Sequence, residues 1–114
     1  MKSIENIFSF IIENIKKSIE EDWEKAILEI NVSDNFSSFK GGYFVNGVKK
    51  NIRVSRFNPQ IDLDLIDLHK ITTSITHEVE KWNIALFTVT KNGNYSVEYI
   101  WSQELFDSVY KKST

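Results

Sequence analysis

The sequence predicts an α+β domain in which two long helices cover one face of an antiparallel sheet. Two long segments carry apolar residues at helical spacing, and an Asn46-Gly47 dipeptide between two valines is typical of a tight hairpin. Further alternating runs predict the remaining strands. The chain has 114 residues, with eight Phe, four Tyr and three Trp to fill a core. We therefore expect one domain over residues 1–114.

The first half is expected to contain a helix and three strands. Isoleucines and phenylalanines at spacings of three and four predict a helix over residues 3–20, and alternation from 23 to 32 predicts a strand. The hairpin around Asn46-Gly47 should pair Val45 with Val48 and continue to a Phe39 and Val54 pair. This register makes one hairpin face apolar and the other basic.

The second half adds a helix, a hairpin and a closing helix. Apolar spacing predicts the helix over residues 63–81, and strands over 84–90 and 95–101 flank a Lys-Asn-Gly-Asn loop. Ser102 is a candidate N-cap for a last helix over 102–112. The expected order is α-β-β-β-α-β-β with a possible C-terminal helix.

Composition narrows the classes of function. The formal net charge is −2 and the sequence pI is about 5.7, which lacks the basic excess of most nucleic-acid binders. No cysteine is present, so a disulfide framework and a thiolate zinc site are excluded. Charged and amide residues interrupt the N-terminal apolar stretch, so we expect neither a signal peptide nor a membrane span. We accordingly expect a cytoplasmic protein.

No catalytic or metal motif is complete. His77-Glu78 begins like a zinc-protease signature, but position 81 is Lys, and His69 lies eight residues before His77, about 12 Å along a helix axis. We interpret both histidines as ordinary helix-surface residues. The sequence therefore predicts no enzyme, no cofactor and no metal.

Five cations without an intervening anion favour a basic surface on the hairpin, with Phe44 among them. Such a face binds single-stranded nucleic acid in some proteins, whereas in others it is a solvated or edge-protecting surface. The net negative charge favours the second interpretation. The cations are Lys40, Lys49, Lys50, Arg53 and Arg56.

Acidic residues cluster twice along the chain. Glu20, Glu21 and Asp22, with Glu24 beyond them, follow the first helix at the end where cations are favoured, so they are our first candidates for binding a basic partner. A solvated loop is the alternative.

Near the expected start of the second helix, Asp62, Asp64 and Asp67 form the second candidate cluster, with helix capping as the alternative.

Aromatic residues in the last strand present a further choice. If the helices cover the strand face carrying Ala85, Phe87, Val89 and Ile100, then Tyr99 and Trp101 form an exposed patch for a partner. Core packing is the alternative for both side chains.

Two segments resemble the YezG-like family of bacterial immunity proteins. In IIENIKKSIEEDWEKAILEINV a helix leads through E-x-W-E-K into a strand, and in KWNIALFTVTKNGNYSVEYIW a Trp closes a helix before two strands. The resemblance covers about residues 4 to 101. It implies a non-enzymatic antitoxin that binds a cognate polymorphic toxin, of the kind used in contact-dependent inhibition, and blocks its active site or its access to substrate. Many such toxins are nucleases. A small nucleic-acid-binding or adaptor module is the alternative.

Overall fold

The computed structural model describes residues 3–33, 36–75 and 81–110. The predicted α+β class and element order are both confirmed. The helices are α1 (Ile4–Ser18), α2 (Gln60–Lys70) and α3 (Gln103–Tyr110), and the strands are β1 (Lys25–Val32), β2 (Ser37–Val45), β3 (Val48–Asn51), β4 (Ile84–Thr90) and β5 (Tyr95–Ile100).

The five strands form one antiparallel sheet in the order β3-β2-β1-β4-β5, so β1 is the central strand. It pairs with β2 along one edge and with β4 along the other. At the β2–β3 hairpin, Asn46 and Gly47 both have positive φ, 50° and 79°, as the turn requires. The expected pairing of Val45 with Val48 is confirmed.

The core lies between one sheet face and the two long helices. Alternate residues of β1 and β4 are buried on this face, as the period of a strand requires. The fully buried helix residues include Ile7, Ile11 and Ile15 of α1 and Leu65 and Leu68 of α2. The other sheet face, which we call the open face, carries the intervening half-buried and exposed residues, such as Ile27, Leu86 and Lys40.

The expected strand extension after the hairpin is wrong. β3 ends at Asn51, although the Ile52 amide still donates to the Gly41 carbonyl at 2.9 Å. Residues Val54–Arg56 then form a 3-10 turn, so Phe39 has no strand partner at Val54. Phe39 instead stacks on Phe57, with ring centroids 5.4 Å apart. This stacking buries Phe57 against the core.

Helix α2 begins three residues before its expected start. The Asn58 side chain accepts a hydrogen bond from the Gln60 amide at 2.9 Å, and Pro59 suits the first turn because its φ is fixed at a helical value. The Asn58-Pro59 dipeptide was therefore the relevant start signal. After Lys70 the helix widens into a π-helical segment, Ile71–Ile75, and the expected continuation over 76–80 lies outside the described residues.

The closing helix is confirmed over Gln103–Tyr110, with its expected cap. Ser102 Oγ accepts from the Leu105 amide at 3.1 Å. Asn83 fixes this cap to the sheet, because its side chain accepts from the Ser102 amide and donates to the Ser102 carbonyl, each at 2.8 Å. Within the described residues, no helix is long and apolar enough to cross a membrane.

Candidate functional site

Residues 20–24, in the connection between α1 and β1, run along one end of the sheet, and we call them the acidic linker. Trp23 anchors it in the core with 7% of its surface exposed. The Glu24 amide donates to the Phe44 carbonyl at 2.8 Å, and the Lys91 amide donates to the Glu24 carbonyl at 3.1 Å. The linker thus joins the β2–β3 hairpin to the β4–β5 loop.

Each carboxylate at the start of the acidic linker meets a cation from a different element. Glu20 Oε1 lies 2.9 Å from Arg56 Nη1, in the 3-10 turn. Glu21 pairs with Lys50 of β3, and Asp22 pairs with Lys91 of the β4–β5 loop.

These pairs explain how the fold accommodates anions after a helix end. Helix α1 stops at Ser18 with Lys16 and Lys17 in its last turn, so cations offset the negative end of the helix dipole. The anions lie beyond that turn and have cations of their own. The surface therefore carries both positive and negative side chains rather than the anionic patch that the sequence predicts.

Glu21 is the most connected of these residues. Lys50 Nζ donates to both of its oxygens, at 2.8 and 2.9 Å, and the Tyr43 hydroxyl donates to Oε1 at 2.6 Å. The hydrogen bond from Lys50, followed by that from Tyr43, lowers the pKa of Glu21. The same contacts with Glu21 raise the pKa values of Tyr43 and Lys50. Tyr43 is a site residue that the sequence analysis missed, because nothing local marks its partner 22 positions away.

Beside this network lies an open polar cleft of about 300 Å³. The acidic linker, β2, the end of β3 and the 3-10 turn surround it. Its lining includes Glu20, Glu21, Tyr43, Asn51, Arg53 and Arg56. The lining combines two carboxylates, Glu20 and Glu21, with two guanidinium groups, Arg53 and Arg56, so both charge signs are present in the cleft.

The second acidic cluster lies elsewhere. Asp62 is near the start of β2, where Ser37 Oγ donates to its carbonyl and its carboxylate at 3.0 Å, whereas the acidic linker is at the far end of that strand, about 20 Å away. Asp67 is half-buried on α2. Asp64 is buried, with 2% of its surface exposed, and accepts from Gln60 Nε2 at 3.1 Å. Burial removes Asp64 from the candidate partner surface.

The expected aromatic patch is wrong for Tyr99. In the antiparallel register Ala85 faces Tyr99 and Ile84 faces Ile100, so Tyr99 shares the helix-covered face. Its ring packs 4.8 Å from the ring of Trp82. The core-packing alternative is therefore confirmed for this residue.

Trp101 follows β5 and is half-buried. Its ring lies 5.4 Å from the Phe106 ring of α3, and Lys81 Nζ lies 4.1 Å from its centroid. These contacts place Trp101 against the closing helix, apart from the acidic linker.

His69 is not a simple surface residue. Its Nε2 lies 2.9 Å from the Trp82 carbonyl, which makes Nε2 the protonated nitrogen, and its ring packs edge-on against Trp82. His77 lies outside the described residues. Across residues 3–33, 36–75 and 81–110, no group of three His, Asp or Glu side chains is arranged to hold a metal ion.

The basic hairpin is partly neutralised within the molecule. Lys40 lies 3.5 Å from Glu29, its direct cross-strand neighbour, and Lys50 and Arg56 pair with the acidic linker. Lys49 and Arg53 have no ion-pair partner in the part of the chain that the structure describes.

Comparison with models of known protein families and with curated proteins finds no match for this chain.

Proposed function

We propose that this protein is a cytoplasmic immunity protein that binds one cognate bacterial toxin and neutralises it without chemistry of its own. Two lines support the proposal. The segments at residues 11–32 and 81–101 resemble the YezG-like family, and they form the α1–β1 and β4–β5 units of the fold. The acidic linker lies within the first unit and contacts the loop of the second through Lys91, so we assign the partner surface to it.

The exposure of the paired carboxylates is the observation that carries this assignment. The Glu20 side chain is 79% exposed and the Asp22 side chain 82% exposed, although both are ion-paired. Exposed ion pairs contribute only about 0 to 1 kcal/mol, so a partner cation can share or replace Arg56 and Lys91 at low cost. Trp23 and the two backbone hydrogen bonds of Glu24 hold the linker in place, which limits the entropy lost on binding.

The presence of both positive and negative side chains around the acidic linker favours selection of one partner over general attraction of basic proteins. A toxin with a basic substrate groove, such as a nuclease, would meet the Glu20 and Asp22 carboxylates, while Arg56 and Lys91 would oppose cations placed elsewhere. Occupation of that groove by the immunity protein would exclude the toxin's substrate.

The test is co-expression with the toxin encoded beside this gene. We expect the wild-type protein to bind and protect, and the Glu20→Gln/Asp22→Asn double variant to bind at least about tenfold more weakly. The Glu98→Gln/Glu104→Gln double variant removes two exposed carboxylates elsewhere and is expected to bind like wild type. Circular dichroism verifies that both variants fold.

Two outcomes would count against the proposal. Equal binding by the wild-type protein and the Glu20→Gln/Asp22→Asn variant removes the linker from the interface. Failure of the wild-type protein to bind or protect against any neighbouring toxin rejects the immunity function itself.

A nucleic-acid or adaptor module is the second candidate, and one observation favours it. Lys25, Phe44 and Lys49 stand in one row across β1, β2 and β3 on the open face. Lys25 Nζ lies 5.1 Å from the Phe44 ring centroid, and the Lys49 side chain crosses Gly42, which has no side chain to block it. Cations beside an aromatic ring are typical of single-strand binding surfaces.

A further inference from the structure

The 3-10 turn gives the molecule a pair of arginines that a strand would have separated. Its tight hydrogen bond joins the Arg56 amide to the Arg53 carbonyl at 3.0 Å. Arg53 is the N-cap residue of this turn and Arg56 ends it, so the turn folds the chain back between them, whereas in a strand side chains three residues apart point to opposite faces. Both arginines accordingly line the polar cleft beside the acidic linker.

The two guanidinium groups differ in their partners. Arg56 is held by Glu20 at 2.9 Å, whereas Arg53 is exposed and has no ion-pair partner in the described part of the chain. Glu21, which also lines the cleft, is already bound by Lys50 and Tyr43. Arg56 balances Glu20 within the cleft, and Lys50 of β3, which lies outside the lining, balances Glu21. Arg53 is therefore the uncompensated charge among the described residues of the cleft.

We propose that this cleft accepts one carboxylate side chain of the partner protein, bound by the Arg53 guanidinium with Arg56 beside it. Glu20 occupies Arg56 in the free protein and is the internal competitor of that carboxylate. This inference rests on the proposed function for the identity of the partner, but not for the chemistry of the cleft.

The chemistry favours a carboxylate over the other common anion. Guanidinium groups bind carboxylates through two parallel N–H donors, which gives geometric selectivity. A single uncompensated charge matches a carboxylate monoanion, whereas a phosphate would bring further negative charge towards Glu20 and Glu21. The volume of about 300 Å³ is ample for one side chain.

The first arm of the test uses no toxin. The capped tripeptide acetyl-Ala-Glu-Ala-amide is titrated while the arginine Nε–Hε resonances are followed by NMR. We expect saturable shifts of the Arg53 signal, no shift with the Gln peptide, and weaker binding of inorganic phosphate than of the Glu peptide. The Glu peptide has no cation for Glu20 to contact, unlike the toxin, so the Glu20→Gln variant should bind this peptide several-fold more tightly because the competitor is gone.

The second arm measures toxin affinity. Arg53→Ala should weaken binding about tenfold and Arg53→Lys by an intermediate factor, because lysine keeps the charge and loses the planar pair of donors. Lys16→Ala is the control, since Lys16 is an exposed cation on α1 without an ion pair among the described residues, and should bind like wild type.

The experiments distinguish failure of the cleft proposal from failure of the proposed immunity function. Toxin binding that is unchanged in Arg53→Ala overturns the inference while the immunity function stands. If no toxin binds the wild-type protein, the immunity function fails and the peptide arm alone decides the cleft. Peptide shifts that persist in Arg53→Ala, appear equally with the Gln peptide, or are weaker than those with phosphate overturn the carboxylate assignment.

Discussion

The hydroxyl of Tyr43 lies 2.6 Å from the carboxylate of Glu21, which joins β2 to the acidic linker across 22 positions of sequence. Lys50, directly opposite Tyr43 on β3, donates to the same carboxylate. One carboxylate thus receives donors from two neighbouring strands. The contact fixes the linker against the hairpin and forms one wall of the polar cleft.

Glu21→Gln is expected to be less stable than wild type near neutral pH, and the difference should shrink in acid. The hydrogen bonds from Lys50 and Tyr43 lower the pKa of Glu21 in the folded protein. A lowered folded-state pKa contributes stability above the unfolded-state pKa and loses it as pH falls through the folded-state value. Urea denaturation over a pH series measures the difference. A difference that stays constant into acid would contradict the assigned role, and Tyr43→Phe should show a smaller change of the same sign.

Thr72→Val is expected to destabilise the fold by about 1 to 3 kcal/mol, because it leaves a buried donor without a partner. The Trp82 indole N–H donates to Thr72 Oγ1 at 2.7 Å, and both residues are at most 2% exposed. Thr88→Val is the matched control on the open sheet face and should stay within about 0.5 kcal/mol of wild type. Chemical denaturation compares the two, and equal values would show that the indole finds another acceptor.

Gly41→Ala is expected to cost about 1 to 3 kcal/mol through overpacking. A Cβ at this position would lie 2.9 Å from the Ile27 carbonyl oxygen and 3.0 Å from Leu28 Cδ1, both in the central strand. At Gly42 the nearest atom is Lys49 Cε, the flexible end of an exposed side chain, so Gly42→Ala should cost less. Thermal unfolding ranks the two variants, and the reverse order would refute this packing argument.

Asn83→Ala is expected to release α3 before the rest of the fold, at a cost of about 1 to 3 kcal/mol. The substitution removes both 2.8 Å hydrogen bonds to the Ser102 backbone, which precedes the helix. Hydrogen exchange should quicken at the Leu105 and Phe106 amides under conditions in which β1 stays protected. Gln103→Ala is the control, because it removes the acceptor of the Trp101 indole and the donor to the Asp107 carboxylate, both exposed contacts, and leaves the Asn83 contacts with Ser102 intact. Uniform acceleration across the sheet would mean that Asn83 supports the whole fold instead.

Single-stranded DNA and RNA are expected not to bind at micromolar concentration near physiological salt. Most hairpin cations are already paired, and Lys25 and Lys49 would neutralise about two phosphates, which gives a salt slope of only about −1.4. Titration of labelled oligonucleotides measures this. Tight binding that is lost in Lys25→Gln/Lys49→Gln but kept in Lys16→Gln, an exposed control on α1, would favour the second candidate function.

Local sequence signals predicted the helices and strands, whereas the geometry of the candidate site depends on contacts between residues far apart in the sequence. Asn46-Gly47 defined its hairpin because the turn depends on two adjacent residues, and the β4 range was confirmed because strand alternation is local. The 3-10 turn after Asn51 could not be inferred in this way, since Phe57 packs on Phe39 only when the fold is complete. The sequence left two alternatives for the Tyr99 side chain, because strand alternation defines two faces but not which of them pairs with Ala85.

The pairing of the acidic linker could not be seen in the sequence for the same reason. Arg56, Lys50 and Lys91 come from three separate elements, and only the strand order β3-β2-β1-β4-β5 brings them to one end of the sheet. The sequence showed the cluster of acidic residues, but it did not show the cations that pair with them.

The central position of β1 has a consequence for synthesis on the ribosome. When α1, β1, β2, β3 and α2 have left the exit tunnel, one edge of β1 still lacks its neighbour, because β4 is made later. The nascent chain then presents unpaired backbone groups beside the apolar side chains of Leu28 and Ile30, a combination that favours aggregation. Completion of β4 closes that edge, so truncated chains ending before it are expected to depend on chaperones where the full chain does not.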